Sequence, residues 1–283
     1  MSLKSCCATG SLHTGTPTGR VEKVHGLDCY IADAPNGSSK GVIVIIPDAF
    51  GWELPNNRIL ADDYAKNGFK VLLPEFQAGC GFPIEALTSL KVVSEPGFQL
   101  WKITHFFTLA RYFVPFLISC RQSVAGPKIY NFLEAVNKNE AKDLPVGVAG
   151  FCWGGLWVTK LCSNEVKAQD GSDLIVCGFT AHPSMLTYPN DIEKVVLPYA
   201  VAASEIDPQM SPENAKQTKE ILTAKTAKSK DQGVEFEFVM YDGAHHGFAV
   251  RADEDDTHEA AQGKKAEAQA VAWFSKWFSS YRG

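Results

Sequence analysis

A cysteine between glycines is the residue of this chain best placed to do chemistry. The sequence Gly-Phe-Cys-Trp-Gly-Gly at positions 150–155 follows an apolar run, 145–149, and precedes a run typical of a helix, 156–162. The order of strand, sharp turn and helix matches the nucleophile elbow Gly-x-Ser-x-Gly, with a thiol in place of the hydroxyl. Such a turn places its central side chain at a helix N-terminus, whose partial positive charge favours a thiolate. Cys152 is therefore predicted to be a nucleophile, although a buried cysteine in a glycine-rich turn fits the same residues.

A cysteine nucleophile needs a base, and the base needs a group that orients it. Asp207 follows a predicted strand at 195–203, and His246 follows another at 234–239. The carboxyl ends of parallel strands meet at one edge of a sheet, so these side chains are expected to converge on Cys152. The chain order of nucleophile, acid and histidine is the order found in α/β-hydrolases.

Neighbouring residues compete for two of these roles. Glu205 is a rival for the acid, and Asp207 could instead be an ordinary turn residue. His245 is a rival for the base, but His246 is favoured because it directly precedes Gly247 and Phe248.

The remaining histidines lack the spacing of zinc ligands, so no metal is predicted. No cofactor is predicted either, because the sequence has no dinucleotide or phosphate loop.

Strands that alternate with helices must position these residues. The β-branched run at 41–47 is typical of a strand buried on both faces of a parallel sheet. Further strands are predicted at 21–32, 69–73, 145–149, 173–180, 195–203 and 234–239, and helices at 55–67, 123–139, 211–228 and 258–281. The alternation predicts the α/β class, with a mostly parallel central sheet and helices on both faces. An irregular arm at 1–20 and a single domain at 21–283 are expected, because no internal repeat or interdomain linker appears.

The segment at about 98–120 is the most apolar part of the chain. Lys102, His105, Arg111 and Pro115 interrupt it, so it lacks the roughly 20 consecutive apolar residues of a membrane-spanning helix. Its aromatic residues predict a helical insertion that covers a pocket or forms an oligomer contact, and ordinary core packing explains them equally well. The chain is expected to be a monomer or a homodimer without a membrane partner.

Charge and cysteine content narrow the function further. The formal net charge of the 283 residues is -5, and no Lys/Arg stripe with interleaved aromatics is present, so a nucleic-acid partner is not expected. A small neutral or anionic substrate fits this composition. The eight cysteines lack paired metal-ligand spacing and suit a reducing compartment. The N-terminus lacks a signal pattern, so a cytoplasmic location is expected.

Four motifs together resemble those of the dienelactone hydrolase family, including its carboxymethylenebutenolidase-like eukaryotic members. The resemblance extends from about residue 20 to the C-terminus and implies an α/β-hydrolase fold. It rests on the elbow at 150–155, Pro-Asp-Ala-Phe-Gly-Trp at 47–52, Ile-Asp-Pro at 206–208 and His-Gly-Phe-Ala at 246–249. It implies a cysteine hydrolase that opens a lactone or cleaves an ester, with Cys152 as nucleophile, His246 as base and Asp207 as its orienting group.

The same resemblance assigns residues around the thiol. The backbone amides of Trp153 and Ala49 would form the oxyanion hole. Asp48 occupies the position of an acidic residue, usually glutamate in bacterial members, that helps to deprotonate the cysteine when substrate binds. Asp48 is one methylene shorter than glutamate, and it could instead cap the turn after the strand.

Substrate contacts are the part of the resemblance in which this sequence departs from the family. Phe50, Phe248 and Arg251 are predicted to contact substrate. In bacterial members an arginine four residues after the catalytic histidine grips the substrate carboxylate. That position is Val250 here, and Arg251 comes one residue later, so a preference for a carboxylate does not transfer.

Two functions of other classes fit parts of the sequence. An α/β-hydrolase scaffold without catalysis could bind a small ligand, and an exposed thiol of low pKa could act as a redox sensor. Neither function requires Asp207 and His246 at matching strand ends. The sequence therefore favours the hydrolase.

Overall fold

A single sheet forms the centre of the molecule. The computed structural model describes residues 11–94, 97, 99–229 and 235–281. The strands are β1 (Arg20–Val24), β2 (Leu27–Ala32), β3 (Val42–Ile46), β4 (Lys70–Pro74), β5 (Val146–Phe151), β6 (Cys177–Ala181), β7 (Tyr199–Ile206) and β8 (Phe236–His245). They form an eight-stranded sheet in the order β1-β2-β4-β3-β5-β6-β7-β8.

The strand directions confirm the prediction of a mostly parallel sheet. The hairpin of β1 and β2 is antiparallel, and β2 is antiparallel to β4. From β4 across to β8 every neighbouring pair is parallel. The sequence Val-Ile-Val-Ile-Ile of β3 is buried at every position because helices cover the sheet on both sides.

Helices surround the sheet, as predicted. They are α1 (Pro55–Lys66), α2 (Glu85–Ser94), α3 (Lys102–Ser119), α4 (Gln122–Lys138), α5 (Trp153–Cys162), α6 (Asn190–Glu193), α7 (Pro212–Ser229), α8 (Phe248–Arg251) and α9 (Thr257–Ser279), with a 3-10 turn at Pro35–Gly37. A Cβ on Gly147 would meet Phe274 of α9, whereas a Cβ on Gly178 would meet Val158 of α5. Gly178 pairs with Val148, the residue after Gly147, and successive residues of a strand face opposite sides. The helices α5 and α9 therefore cover opposite faces.

Several boundaries differ from the sequence prediction. The predicted strand at 173–180 begins only at Cys177, and α2 was not predicted. The last strand continues to His245, beyond the predicted end at 239, while residue 234 lies outside the described residues. The helix α3 continues through Pro115. A proline inside a helix removes one backbone hydrogen bond.

The length and hydropathy of the helices bear on whether the chain could span a membrane. In the part of the chain that the structure describes, no single helix is long and apolar enough to cross a membrane. The helices α3 and α4 reach that threshold only as a pair, and their axes are bent by 62° at the break between them. This bent pair reaches the threshold by its length and composition only.

Candidate active site

The ends of β5 and β6 place Cys152 beside two residues of the following loop. Phe151 pairs with Ala181, and the amide of Cys152 donates to the carbonyl of Ala181 at 3.3 Å. His182 and Ser184 follow Ala181 directly, so they lie at the same edge of the sheet. The amide of Ser184 donates back to the carbonyl of Cys152 at 3.0 Å. The register of two parallel strands therefore builds one side of the site.

The ends of β7 and β8 build the other side. The register between these strands shifts between Ser204 and Ile206, and beyond this irregularity Ile206 pairs with His245. Asp207 directly follows β7, and His246 directly follows β8. Bulges of this kind redirect side chains next to active sites. Here the shift brings the predicted acid and the predicted base side by side.

The backbone at Cys152 has the strained conformation that a nucleophile elbow requires. Its φ is 52° and its ψ is -111°, an unusual combination for a residue with a Cβ. Glycines make the turn tight enough: a Cβ on Gly150 would collide with the carbonyl of Gly154, and a Cβ on Gly154 would collide with the carbonyl of Ile46. The end of β3 and the start of α5 therefore touch, and Cys152 stands directly before the N-terminus of α5.

Gly154→Ala should destabilise the protein by about 3 kcal/mol, the upper end of the usual cost of overpacking. The added methyl group collides with backbone, which cannot rotate away as a side chain can. Chemical denaturation monitored by far-ultraviolet circular dichroism measures this loss. Gly15→Ala is a suitable control, because its added Cβ would meet only the flexible side chain of Ile59. Equal stability of the two variants would contradict the close packing of the elbow.

Asp207 is buried and fully engaged in hydrogen bonds. Its Oδ2 lies 2.8 Å from Nδ1 of His246 and accepts a hydrogen bond from the hydroxyl of Ser204, also at 2.8 Å. Its Oδ1 accepts from the amide of Gln209 at 2.8 Å. Burial alone would raise the pKa of Asp207, but the charge of His246 and these hydrogen bonds lower it below its usual range. The carboxylate therefore stays ionised and fixes the ring of His246.

The side chains of Cys152 and Asp207 both stabilise the protonated form of His246. Its side chain is fully buried, and burial alone would lower its pKa. The charges of Cys152 and Asp207 and hydrogen bonds with both side chains outweigh burial, so the pKa of His246 is raised well above its usual value. The structure thus brings Cys152, His246 and Asp207 together in the predicted order. Their arrangement can hold a proton on the imidazole, between the sulfur of Cys152 and the carboxylate of Asp207.

Ser184 is a site residue that the sequence did not reveal. Its Oγ lies 3.5 Å from the sulfur of Cys152 and is buried with it. A hydroxyl at this distance can donate a weak hydrogen bond to a thiolate. Its only signal in the sequence is its position two residues after His182, in a loop that follows a predicted strand.

The sequence also indicated no role for His182, because this histidine lies in a loop and lacks the spacing of metal ligands. Its fully buried ring lies edge-on to the ring of His246, with centroids 4.9 Å apart, and also contacts Phe151 and Phe248. Burial, together with the charge of His246, lowers the pKa of His182 well below its usual value. His182 therefore stays neutral and packs against the ring of His246 from the side.

The neutral state of His182 predicts a pH effect on stability. As the pH falls below about 6.5, the unfolded chain binds a proton on this histidine and the folded protein does not. The free energy of unfolding should then fall by up to about 1.4 kcal/mol per pH unit from this residue alone. Denaturation at pH 7, 6 and 5 measures the slope, which should be shallower in His182→Asn, whose side chain tolerates the positive φ. Identical slopes in the two proteins would contradict a buried neutral His182.

The two rivals for the triad lie elsewhere. The carboxylate of Glu205 accepts a hydrogen bond from the amide of Gly243 at 2.7 Å and is exposed. Nδ1 of His245 lies 3.5 Å from the carboxylate of Glu259. The polar contacts of these two side chains are therefore with Gly243 and Glu259 rather than with Asp207 or His246.

Asp48 and Arg251 contact each other. Both side chains are almost completely buried, and the carboxylate of Asp48 forms an ion pair with the guanidinium of Arg251. The other carboxylate oxygen lies 3.2 Å from both the amide of Phe50 and the side-chain amide of Asn57. The guanidinium also lies 4.8 Å from the ring centre of Phe50. Two residues predicted to have separate roles, thiol activation and substrate contact, therefore form one buried pair.

The loop that carries Ala49 is held firmly on both sides. The carbonyl of Asp48 accepts hydrogen bonds from the side chain of Gln77 at 2.7 Å and from the amide of Gly51 at 3.0 Å. The carbonyl of Ala49 accepts from the amide of Phe82 at 2.8 Å. Because Gly154 touches the end of β3, the amides of Trp153 and Ala49 belong to segments in direct contact. Fixed amides of this kind suit an oxyanion hole.

The other predicted substrate contacts occupy different places. Phe50 lines an open cavity of about 870 Å³, together with Trp52, Phe82, Arg111 and Tyr112. Phe248 is buried and packs on His182 and Tyr241. No group of three or more potential metal ligands occurs among the residues that the structure describes.

Comparison with known proteins places these features in a family. The model of the dienelactone hydrolase family matches residues 27–280. Hydrolase pyvD of Aspergillus violaceofuscus is 26% identical over 275 residues, which cover 96% of each chain. The carboxymethylenebutenolidase homolog of Homo sapiens is 24% identical over 261 residues, covering 92% of this chain and 91% of that protein. The crystal structure of dienelactone hydrolase from Anabaena variabilis superposes with a TM-score of 0.56 at 13% identity, covering 94% of this chain and 99% of that one. This similarity confirms the predicted α/β-hydrolase fold.

Proposed function

Because the chain belongs to the dienelactone hydrolase family, we propose that it is a hydrolase that opens a lactone or cleaves an ester through Cys152. The buried pair of Asp207 and His246 next to the elbow cysteine supports this proposal most strongly. Neither a redox sensor nor a binding protein needs a histidine oriented by a buried carboxylate. A nucleophile that must gain and lose a proton does need one.

The reaction begins with attack of the Cys152 thiolate on the carbonyl carbon of the substrate. The oxyanion that forms is stabilised by the amides of Trp153 and Ala49, and removal of one such donor typically slows a reaction on the order of 100- to 1000-fold. Collapse of the tetrahedral intermediate breaks the ester bond and leaves a thioester on Cys152. His246, as the imidazolium, supplies a proton to the leaving oxygen where one is needed; an enolate leaving group needs little help.

Hydrolysis of the thioester uses the same residues in the opposite sense. Neutral His246 takes a proton from a water molecule, which attacks the thioester carbonyl. The acid product loses its remaining water-derived proton to solvent and leaves as a carboxylate, and the thiolate and imidazolium are restored. Asp207 keeps the proton of the imidazole on Nδ1, so that Nε2 faces the reacting atoms in both steps.

Asp48 activates the thiol of Cys152 in this proposal. Its carboxylate is paired with Arg251, so it can approach the sulfur only when that ion pair opens. An anionic group of the substrate that bound Arg251 would release Asp48, which would take the thiol proton and pass it to His246, giving the thiolate and imidazolium with which the reaction begins. The pair would therefore link substrate binding to activation of the nucleophile; the family resemblance implies the role of Asp48, and the ion pair adds Arg251 to it.

The test is hydrolysis of a small panel by the wild-type protein: a dienelactone, simpler lactones and an activated aryl ester. Intact-mass measurement should detect an acyl adduct, and peptide mapping should place it on Cys152. Turnover without an adduct on Cys152 would contradict the nucleophile. Reversible oxidation of Cys152 by peroxide, with no turnover of any substrate, would instead favour the redox function.

A further inference from the structure

The outward side of α3 is apolar, which is unusual for a helix on a protein surface. Six side chains form this outer face: Ile103, Phe106, Phe107, Val114, Leu117 and Ile118. Their spacing of three, four and seven residues places them on one side of the helix. Their exposed fractions range from 38% to 68%, whereas Leu109 and Phe116 on the opposite side are exposed by only 1% and 4%. Contiguous apolar surface of this kind marks a site of contact with a protein or a membrane.

The charged residues of α3 itself and of the adjoining sequence are all positive, although Glu53, Glu75 and Glu85 line the same cavity as Arg111. Between positions 97 and 133 the sequence contains Lys102, Arg111, Arg121 and Lys128 but no aspartate or glutamate, although the whole chain has a net charge of -5. Arg111 and Arg121 are exposed. Arg111 is three or four residues from Phe107 and Val114, so it borders the outer face. The basic residues in and after α3 favour a partner that is apolar at its centre and negatively charged.

A second copy of the chain fits this description poorly. Arg111 lies near the middle of α3, which spans Lys102–Ser119. A symmetric antiparallel pairing of two α3 helices would bring the two Arg111 guanidinium groups close together at the twofold axis. Like charges at the centre of an interface oppose association.

We propose that the outer face of α3 binds the surface of an anionic lipid membrane. Phenylalanine, leucine and isoleucine side chains enter the boundary between headgroups and acyl chains, while Arg111 and Arg121 contact lipid phosphates. The contact is peripheral and differs from a membrane-spanning helix, against which the sequence argues. It would involve no change of fold, since the outer face is already exposed.

Sedimentation with lipid vesicles tests this proposal without reference to catalysis. The wild-type protein should bind vesicles of phosphatidylcholine that contain phosphatidylserine, should bind pure phosphatidylcholine vesicles more weakly, and should lose affinity as the salt concentration rises. The double variant F106S/F107S should bind at least about tenfold more weakly. Each phenylalanine that enters the membrane removes apolar surface from water, and loss of one alone would be enough for such a change. Arg111→Gln should reduce the preference for phosphatidylserine.

The matched control is V166S/V196S, which removes two exposed apolar side chains remote from α3 in sequence and should leave binding unchanged. Circular dichroism and a thermal melt of each variant separate lost binding from lost folding. Equal binding by wild type and F106S/F107S would overturn the proposal, as would equal binding to the two kinds of vesicle. Absence of vesicle binding, together with a dimer that F106S/F107S dissociates, would assign the face to a second copy of the chain.

Discussion

Cys152→Ala should reduce turnover of the best lactone or ester by at least about 10,000-fold, the scale seen when a triad nucleophile is removed. Alanine cannot form the thioester, and no other described thiol adjoins the buried pair of Asp207 and His246. The side chain of Cys152 is small, so the fold should survive the change. Steady-state kinetics and a thermal melt of the same preparation measure both effects.

Cys80→Ala is the matched control for this experiment. Its thiol is half-buried and contacts Ser119, outside the triad. In Cys80→Ala, turnover should remain at the wild-type level and the acyl adduct on Cys152 should still form. If Cys152→Ala kept more than a tenth of wild-type turnover, the chemistry would have to be assigned to a different nucleophile.

Asp207→Asn should slow turnover by roughly 1,000- to 10,000-fold while leaving the backbone in place. An amide is close in size to a carboxylate but carries no charge, and its NH₂ group can hold His246 in the wrong tautomer. Loss of the carboxylate also removes one of the charges that raise the pKa of His246. The pH profile of kcat/KM should therefore shift as well as fall, which separates a change of tautomer from simple misfolding.

Glu205→Gln is the control for the acid. Glu205 is two residues from Asp207 but accepts a hydrogen bond only from Gly243 among the contacts seen here. Its kinetics should be within a few-fold of wild type. A large effect in Glu205→Gln together with a small effect in Asp207→Asn would reverse the assignment of the two carboxylates.

The sequence was most informative where local patterns determine local structure. The glycines around Cys152 predicted a sharp turn, and the structure shows why: each lies against backbone where a Cβ would not fit. The β-branched run at 41–47 predicted a buried central strand, which is β3. Strand ends then predicted that Asp207 and His246 would meet, since parallel strands deliver their following residues to one edge of a sheet.

Contacts between distant segments were harder to predict. Asp48 and Arg251 are separated by about 200 positions, and nothing in either local sequence indicates the ion pair that joins them. The contact of His182 with His246 depends on the register of β6 against its neighbours, which periodicity cannot supply. The strand boundary at Cys177 and the helix α2 were missed because short apolar segments fit several structures.

The irregular register between β7 and β8 restricts how this protein can change. Side chains alternate between the two faces of a sheet, so loss of Glu205 would turn Ile206, the last residue of β7, and Asp207 after it to the other face. Substitutions there can be tolerated one at a time, whereas a deletion would separate the acid from its histidine in a single step. Variation in length among working relatives should therefore be confined to segments away from this edge, and loop grafting should begin with the segment between α2 and α4.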